Sequence, residues 1–155
     1  MERAYKWEGF TYSTDANEAG KVMEELERTV GLTTKNLVEA SKPEDAPLHK
    51  EFEWDNEIAG PKYREIQAGK MITSLKVVTK QDETKKTRGF VTLDYAPGKP
   101  GKFESIEKVL EVEEKRSRLL TLAIRELQAF RKKYIALYEL SELFDVIDKL
   151  EQKAG

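Results

Sequence analysis

Five cations crowd one short span of the chain: Lys76, Lys80, Lys85, Lys86 and Arg88, opposed by Asp82 and Glu83. Ammonium and guanidinium groups gathered on a loop can neutralise phosphates without reading bases, because the attraction is to backbone charge. Lys80, Lys85, Lys86 and Arg88 are therefore the candidate phosphate-contacting residues. The competing reading of the same residues is a solvated, charged hairpin tip. A second constellation surrounds the single histidine. His49 is followed by Glu51, Glu53 and Asp55 at alternate positions, which on an extended chain share one face. Such oxygen donors suit a hard cation, but the spacing is not that of a ligand loop. His49 is expected to be a loop histidine, and no metal or other cofactor is assigned. The sequence contains no GxSxG, P-loop, GxGxxG or HExxH pattern. No carboxylate pair falls in an identifiable cleft either, so the chain is read as non-enzymatic.

Met23 to Ala40 resembles a DNA-binding helix-turn-helix, with Leu26, Val30, Gly31, Leu32, Leu37 and Ala40 at the apolar and turn positions. The motif needs a tight helix crossing and a second helix free to enter a groove. Three features argue for a purely structural helical hairpin instead. Glu27 stands where the motif has a small residue, the second helix offers only Thr34, Lys35 and Asn36 to a base, and the surrounding segment is acidic. A third basic feature, Lys115, Arg118, Arg125 and Lys132 on one helix, carries less. Glu111 and Glu114 lie four residues before Lys115 and Arg118, the favourable orientation for helical ion pairs. Arg131, Lys132 and Lys133 can support the helix C-terminus through its dipole.

The elements that must position these groups follow from composition and periodicity. The 155 residues fit one domain, 1–155, whose core needs neither metal nor disulfide. There is no cysteine, which removes disulfides, thiol nucleophiles and thiolate metal sites. No apolar run approaches the roughly 18 residues that span a bilayer, and Met1 to Phe10 lacks the apolar core of a signal peptide. The expectation is a cytoplasmic protein that does not engage a membrane. The formal charge of −2 divides into −7 over residues 1–60 and +5 over residues 61–155. That asymmetry points either to a basic binding face on the second half or to mutual attraction of the halves.

Along the chain, Tyr5 to Tyr12 reads as a strand or extended cover. A helix over Ala16 to Thr29, capped by Thr14 or Asp15, carries Val22, Leu26 and Val30 and stops at Gly31. Thr33 caps a short helix to Ser41, which Pro43 ends. Lys42–Lys50 is a loop whose tail is anchored by Phe52 and Trp54. A third helix is expected from Glu57 to about Lys70, capped by Asp55 or Asn56, with Ile58, Tyr63 and Ile66 inside. Met71 to Thr79 and Phe90 to Tyr95 read as the strands of one β-hairpin around the polar loop Lys80 to Gly89. The Pro- and Gly-rich segment 96–102 is a linker between a mixed α/β subdomain, 1–95, and a helical one, 103–155. Ser105 opens a helix that runs to Tyr134 or breaks near Glu111. Its apolar stripe is Leu120, Ala123, Leu127, Phe130, Tyr134 and Leu137. A bend at Tyr138 to Ser141 precedes a last helix with Leu143, Phe144, Ile147 and Leu150.

The run Gly31-Leu-Thr-Thr-Lys-Asn-Leu-Val-Glu-Ala, then Pro47-Leu-His-Lys-Glu-Phe-Glu-Trp-Asp55 and Tyr63-Arg64, resembles a family of small bacteriophage and prophage proteins. Leu127-Gln-Ala-Phe-Arg-Lys-Lys-Tyr-Ile-Ala-Leu to Phe144 is similar to the same family's C-terminal end. The resemblance implies a phage-encoded protein acting in a bacterial cytoplasm or in a virion, and brings no activity or site residue with it. The expected fold is α+β: a helical hairpin, a third helix and a small antiparallel β-hairpin packed on a long C-terminal helical pair. The leading functional expectation is an accessory protein binding nucleic acid through Lys80, Lys85, Lys86 and Arg88. The alternative is an oligomeric protein-interaction module, an antagonist of a host defence factor or a virion component. The long striped helix favours a homo-oligomer through the C-terminal helices in either case.

Overall fold

Asp15 begins the first helix, α1 (Ala16–Arg28), by accepting the amide hydrogens of Asn17 at 2.9 Å and Glu18 at 3.2 Å on Oδ1. These donors have no partner inside the helix, and the cap supplies one. The buried stripe is Ala16, Ala19, Gly20, Met23 and Leu26, while Val30 is exposed. The helix ends at Arg28, three residues before Gly31, which sits at φ +96 and donates to the Leu26 carbonyl at 2.7 Å. That backbone conformation favours glycine and turns the chain into Leu32. Thr33 then caps α2 (Thr34–Ser41), its hydroxyl accepting from the Asn36 amide at 3.0 Å. A 3-10 turn, His49–Glu51, lies in the loop that follows.

The computed structural model describes residues 3–79, 81–82, 84–94 and 101–154. It is mixed α+β, with six α-helices, an antiparallel sheet of three strands, a second of two, and a C-terminal helical pair among the described residues. Two units emerge, Met1–Lys108 and Val109–Gly155. The division falls at 108/109 rather than in the 96–102 segment. Residues 95–100 lie outside the described residues, so most of the expected linker does too. On either side of it, β4 (Phe90–Thr92) and β5 (Phe103–Ser105) pair antiparallel with each other, both within the first unit.

The third helix differs from expectation. It is α3 (Pro61–Ser74), and neither Asp55 nor Asn56 caps it. Asp55 instead closes an isolated turn, accepting from Glu57 N on its side chain and from Ile58 N and Ala59 N on its carbonyl. Pro61 pushes Gly60 into extended backbone and itself becomes the first helical residue, a position where its missing amide hydrogen costs nothing. The shift rotates the buried face. Arg64, Ala68, Met71 and Ile72 are inside, whereas Ile58, Tyr63 and Ile66 are exposed.

Met71–Ser74 therefore belongs to α3, and strand β2 begins at Leu75 (Leu75–Thr79). It is the central strand of three, between β1 (Arg3–Trp7) and β3 (Thr87–Arg88). The expected hairpin between β2 and the Phe90 run does not form. β2 pairs with Thr87–Arg88, Gly89 donates to the Leu75 carbonyl at 3.0 Å, and the chain then leaves for the second sheet. The core of this unit joins Met23, Leu32, Leu37, Leu48, Met71, Ile72, Leu75 and Phe90, with Tyr5 stacked on Phe90 at 6.1 Å.

Near the second unit, helix α4 (Ile106–Glu111) breaks at Val112, and α5 (Glu113–Tyr134) follows. A 3-10 turn at Tyr138–Leu140 leads to α6 (Ser141–Ala154), as the change in apolar spacing predicts. The α5 stripe is only partly covered. Ile124 is its one buried side chain, Leu127 and Tyr134 are half-buried, and Leu120, Ala123, Phe130 and Leu137 are exposed. On α6, Phe144 and Ile147 are buried, and Arg131 of α5 reaches Asp148 of α6 at 3.3 Å.

Candidate nucleic-acid interface

The register of the three-stranded sheet places Lys6 opposite Lys76, and Lys76 opposite Arg88. Directly opposed residues of an antiparallel ladder share a face, so one cation from each strand stands in a row across the sheet. Neighbouring strands are about 4.8 Å apart, and the row crosses roughly 10 Å of backbone. The opposite face carries Tyr5 and Leu75 of the core, and the row's own face also buries Val78, so Lys6 and Lys76 are half-buried while Arg88 is exposed. Like charges set opposite one another are unfavourable by themselves, and a phosphate chain laid across the row relieves that repulsion.

Of the residues picked out in sequence, Arg88 stands in this row and Lys86 lies two residues before it in the chain, Lys85 pairs with Asp82 past the Thr79 end of β2, and Lys80 lies outside the described residues. Arg88 is part of β3, not of the loop, and has no ion pair among the described residues. Lys86 reaches Glu8 at 3.2 Å, and Lys85 reaches Asp82 at 3.9 Å, with the Lys85 side chain 86% exposed. The Thr84 hydroxyl and backbone amide both donate to Asp82, holding its carboxyl below the ordinary aspartate range. Lys76 donates to the Thr73 carbonyl at 3.0 Å, at the C-terminal end of α3 where a cation meets the negative end of the helix dipole. Of the acids near the sheet, Glu8 takes Lys86 and Asp82 takes Lys85. Lys6 lies too far away in sequence for charge clustering to reveal it; only strand pairing brings it to the row.

The other candidates have structural work. Asn36 donates its side-chain amide to the Val30 carbonyl at 3.2 Å and the Gly31 carbonyl at 2.8 Å, so the polar residue best suited to a base edge braces its own turn. Leu32 of that turn bridges to Phe103 of β5. Glu27, the residue that departs from the helix-turn-helix pattern, accepts the Ser105 amide at 2.7 Å and Lys108 at 3.5 Å, with its side chain 6% exposed. It joins α1 to the β5–α4 junction. The His49 ring stacks on Trp54 at 4.9 Å, and Nδ1 meets the Ser41 carbonyl at 2.9 Å. Glu51 accepts from the Ser13 and Thr14 hydroxyls and the Thr14 amide, and Glu53 accepts from Asp55 N. No group of three metal-ligating side chains occurs among the described residues. Among the described residues, no helix is long and apolar enough to cross a membrane.

One further anchor was not visible in sequence. Arg64, on the buried face of α3, donates to the carbonyls of Glu53, Trp54 and Ala59 and to Asn56 Oδ1, while its guanidinium lies 5.2 Å from the Trp54 ring centroid. A guanidinium can satisfy that many acceptors at once, which explains a buried arginine without an ion pair. The chain matches no protein-family model, and no curated protein or solved structure matches it.

Proposed function

We propose that this is a non-enzymatic accessory protein that binds nucleic-acid backbone at the basic end of its three-stranded sheet. The supporting observation is the row Lys6, Lys76 and Arg88 across one sheet face, with Lys86 two residues before Arg88 and Lys85 further along the same loop. The row presents cationic charge to the phosphate backbone, so the binding it supports is sensitive to salt. The resemblance of the Gly31–Ala40 and Pro47–Asp55 runs to bacteriophage and prophage proteins makes a phage origin, and action in a bacterial host's cytoplasm or in a virion, part of the same reading. Fluorescence anisotropy with labelled single-stranded and duplex oligonucleotides tests it. Contact with three phosphates gives a slope of about −2 to −3 in log affinity against log salt. Binding that does not occur, or that ignores salt, overturns the proposal.

A further inference from the structure

Of fifteen exposed large hydrophobic side chains among the described residues, ten lie between Leu110 and Leu150. They concentrate where the core is thinnest, on a helical pair that buries Ile124 from α5 and Phe144 and Ile147 from α6. On α6, Leu143, Val146 and Leu150 recur at steps of three and four, so they form one stripe. That stripe adjoins the buried Phe144–Ile147 side and is open, at 43%, 51% and 38% exposure. On α5, Leu120 and Phe130 are open in the same way. Two helices with so small a buried seam make half of a bundle rather than a finished one.

We infer that a second copy of this chain covers the open face, pairing α5 of each copy with α6 of the other in a two-fold four-helix bundle. Charge selects that partner and that arrangement. α5 carries seven basic and three acidic side chains, a balance of +4, and α6 carries two basic and four acidic, a balance of −2. Setting α5 beside the other copy's α5 opposes like charges, whereas setting it beside α6 makes every neighbouring pair of helices complementary. Two-fold symmetry satisfies both contacts at once, since the same surface serves on each side. The dimensions fit as well. Helices of 22 and 14 residues side by side present a face roughly 20 Å wide and about 20–30 Å long, a flat outline of about 400–600 Å² that side-chain relief enlarges toward the about 800 Å² each partner contributes to a specific dimer.

Sedimentation equilibrium on the full chain tests this. The wild type is expected to be a dimer whose dissociation constant rises with salt. Val146→Lys with Leu150→Lys puts positive charge, set against the basic α5 of the other copy, on side chains that are open in one copy but central in the bundle. It should raise the dissociation constant at least about a hundredfold while leaving the far-UV circular dichroism of a folded chain. A chain that stays monomeric up to millimolar concentration overturns the inference, including the case in which another protein is found on this face. A dimer that V146K/L150K leaves intact overturns it equally. Dimer affinity that is indifferent to salt removes the α5–α6 pairing.

Discussion

Lys76 on β2 and Arg88 on β3 stand directly opposite each other in the ladder, on the sheet face turned away from Tyr5. Opposed like charges of this kind cost about 0.2–1 kcal/mol in an isolated sheet. Arg88→Ala is therefore expected to leave the fold as stable as before or slightly more so. In oligonucleotide binding it should lower affinity uniformly across sequences and reduce the salt slope by about 1. Thermal melts and anisotropy titrations at several salt concentrations check both halves. A variant that binds as before, with the slope unchanged, removes Arg88 from the interface.

Gly20 is a packing position. A Cβ built there meets the Tyr5 ring at Cδ2, Cε2 and Cγ, and the ring cannot withdraw because its hydroxyl donates to Glu24 at 2.7 Å. Burial, then the hydrogen bond and charge of Glu24, push that phenol well above its ordinary pKa, so it stays a donor. Gly20→Ala should gain helix propensity of about 1 kcal/mol and lose more to overpacking of about 1–3 kcal/mol. The expected result is a lower urea midpoint, restored in part by Tyr5→Leu in the same chain. Gly20→Ala alone raising the midpoint contradicts the packing described.

Glu27 links elements far apart in the chain, through Ser105 N and Lys108 Nζ. Glu27→Ala leaves the Ser105 amide without its acceptor in a half-buried place, a loss of about 1–3 kcal/mol. Glu27→Gln keeps an acceptor oxygen and should recover most of it. Denaturant unfolding of the two variants separates the hydrogen bond from the charge.

Glu51 gives a pH dependence whose sign is fixed. Burial raises its pKa, but the Ser13 and Thr14 hydroxyls and the Thr14 amide all donate to it and together outweigh burial, so the folded value lies below the ordinary one. A depressed carboxylate contributes stability that is complete above the unfolded value of about 4.3 and fades as pH falls through the folded value. Wild type should therefore exceed Glu51→Gln in unfolding midpoint near neutral pH, and the gap should close in acid. A gap that widens on acidification contradicts the assignment.

Local signals carried the helices that begin with a side-chain cap. Asp15 and Thr33 bind their first-turn amides with their own oxygens, so a few adjacent residues decide the outcome. Strand pairing was not legible, because a partner for β2 is chosen by tertiary packing: β1, from the start of the chain, and the two-residue β3 flank it. The basic residues near the tip could be read from composition, but Lys6 joins them only through that pairing. The α5 stripe was legible as a stripe, while its cover was not, since an apolar face records the need for a partner and not the partner's identity.

The third helix offers the sharpest contrast between pattern and packing, and it can be tested at two residues. Ile66 and Met71 are both apolar and both in α3, yet Ile66 is 55% exposed and Met71 fully buried. Periodicity alone put Ile66 inside, because Ile58, Tyr63 and Ile66 look like a stripe when the helix is started at Glu57. Starting it at Pro61 turns Arg64, Ala68, Met71 and Ile72 inward. Ile66→Ser should then change stability by no more than about 0.5 kcal/mol, as exposed substitutions do. Met71→Ala removes packed volume from the core and should cost about 2–5 kcal/mol. Urea unfolding of the two single variants decides it, and a larger loss at Ile66 than at Met71 means that α3 presents the other face to the core.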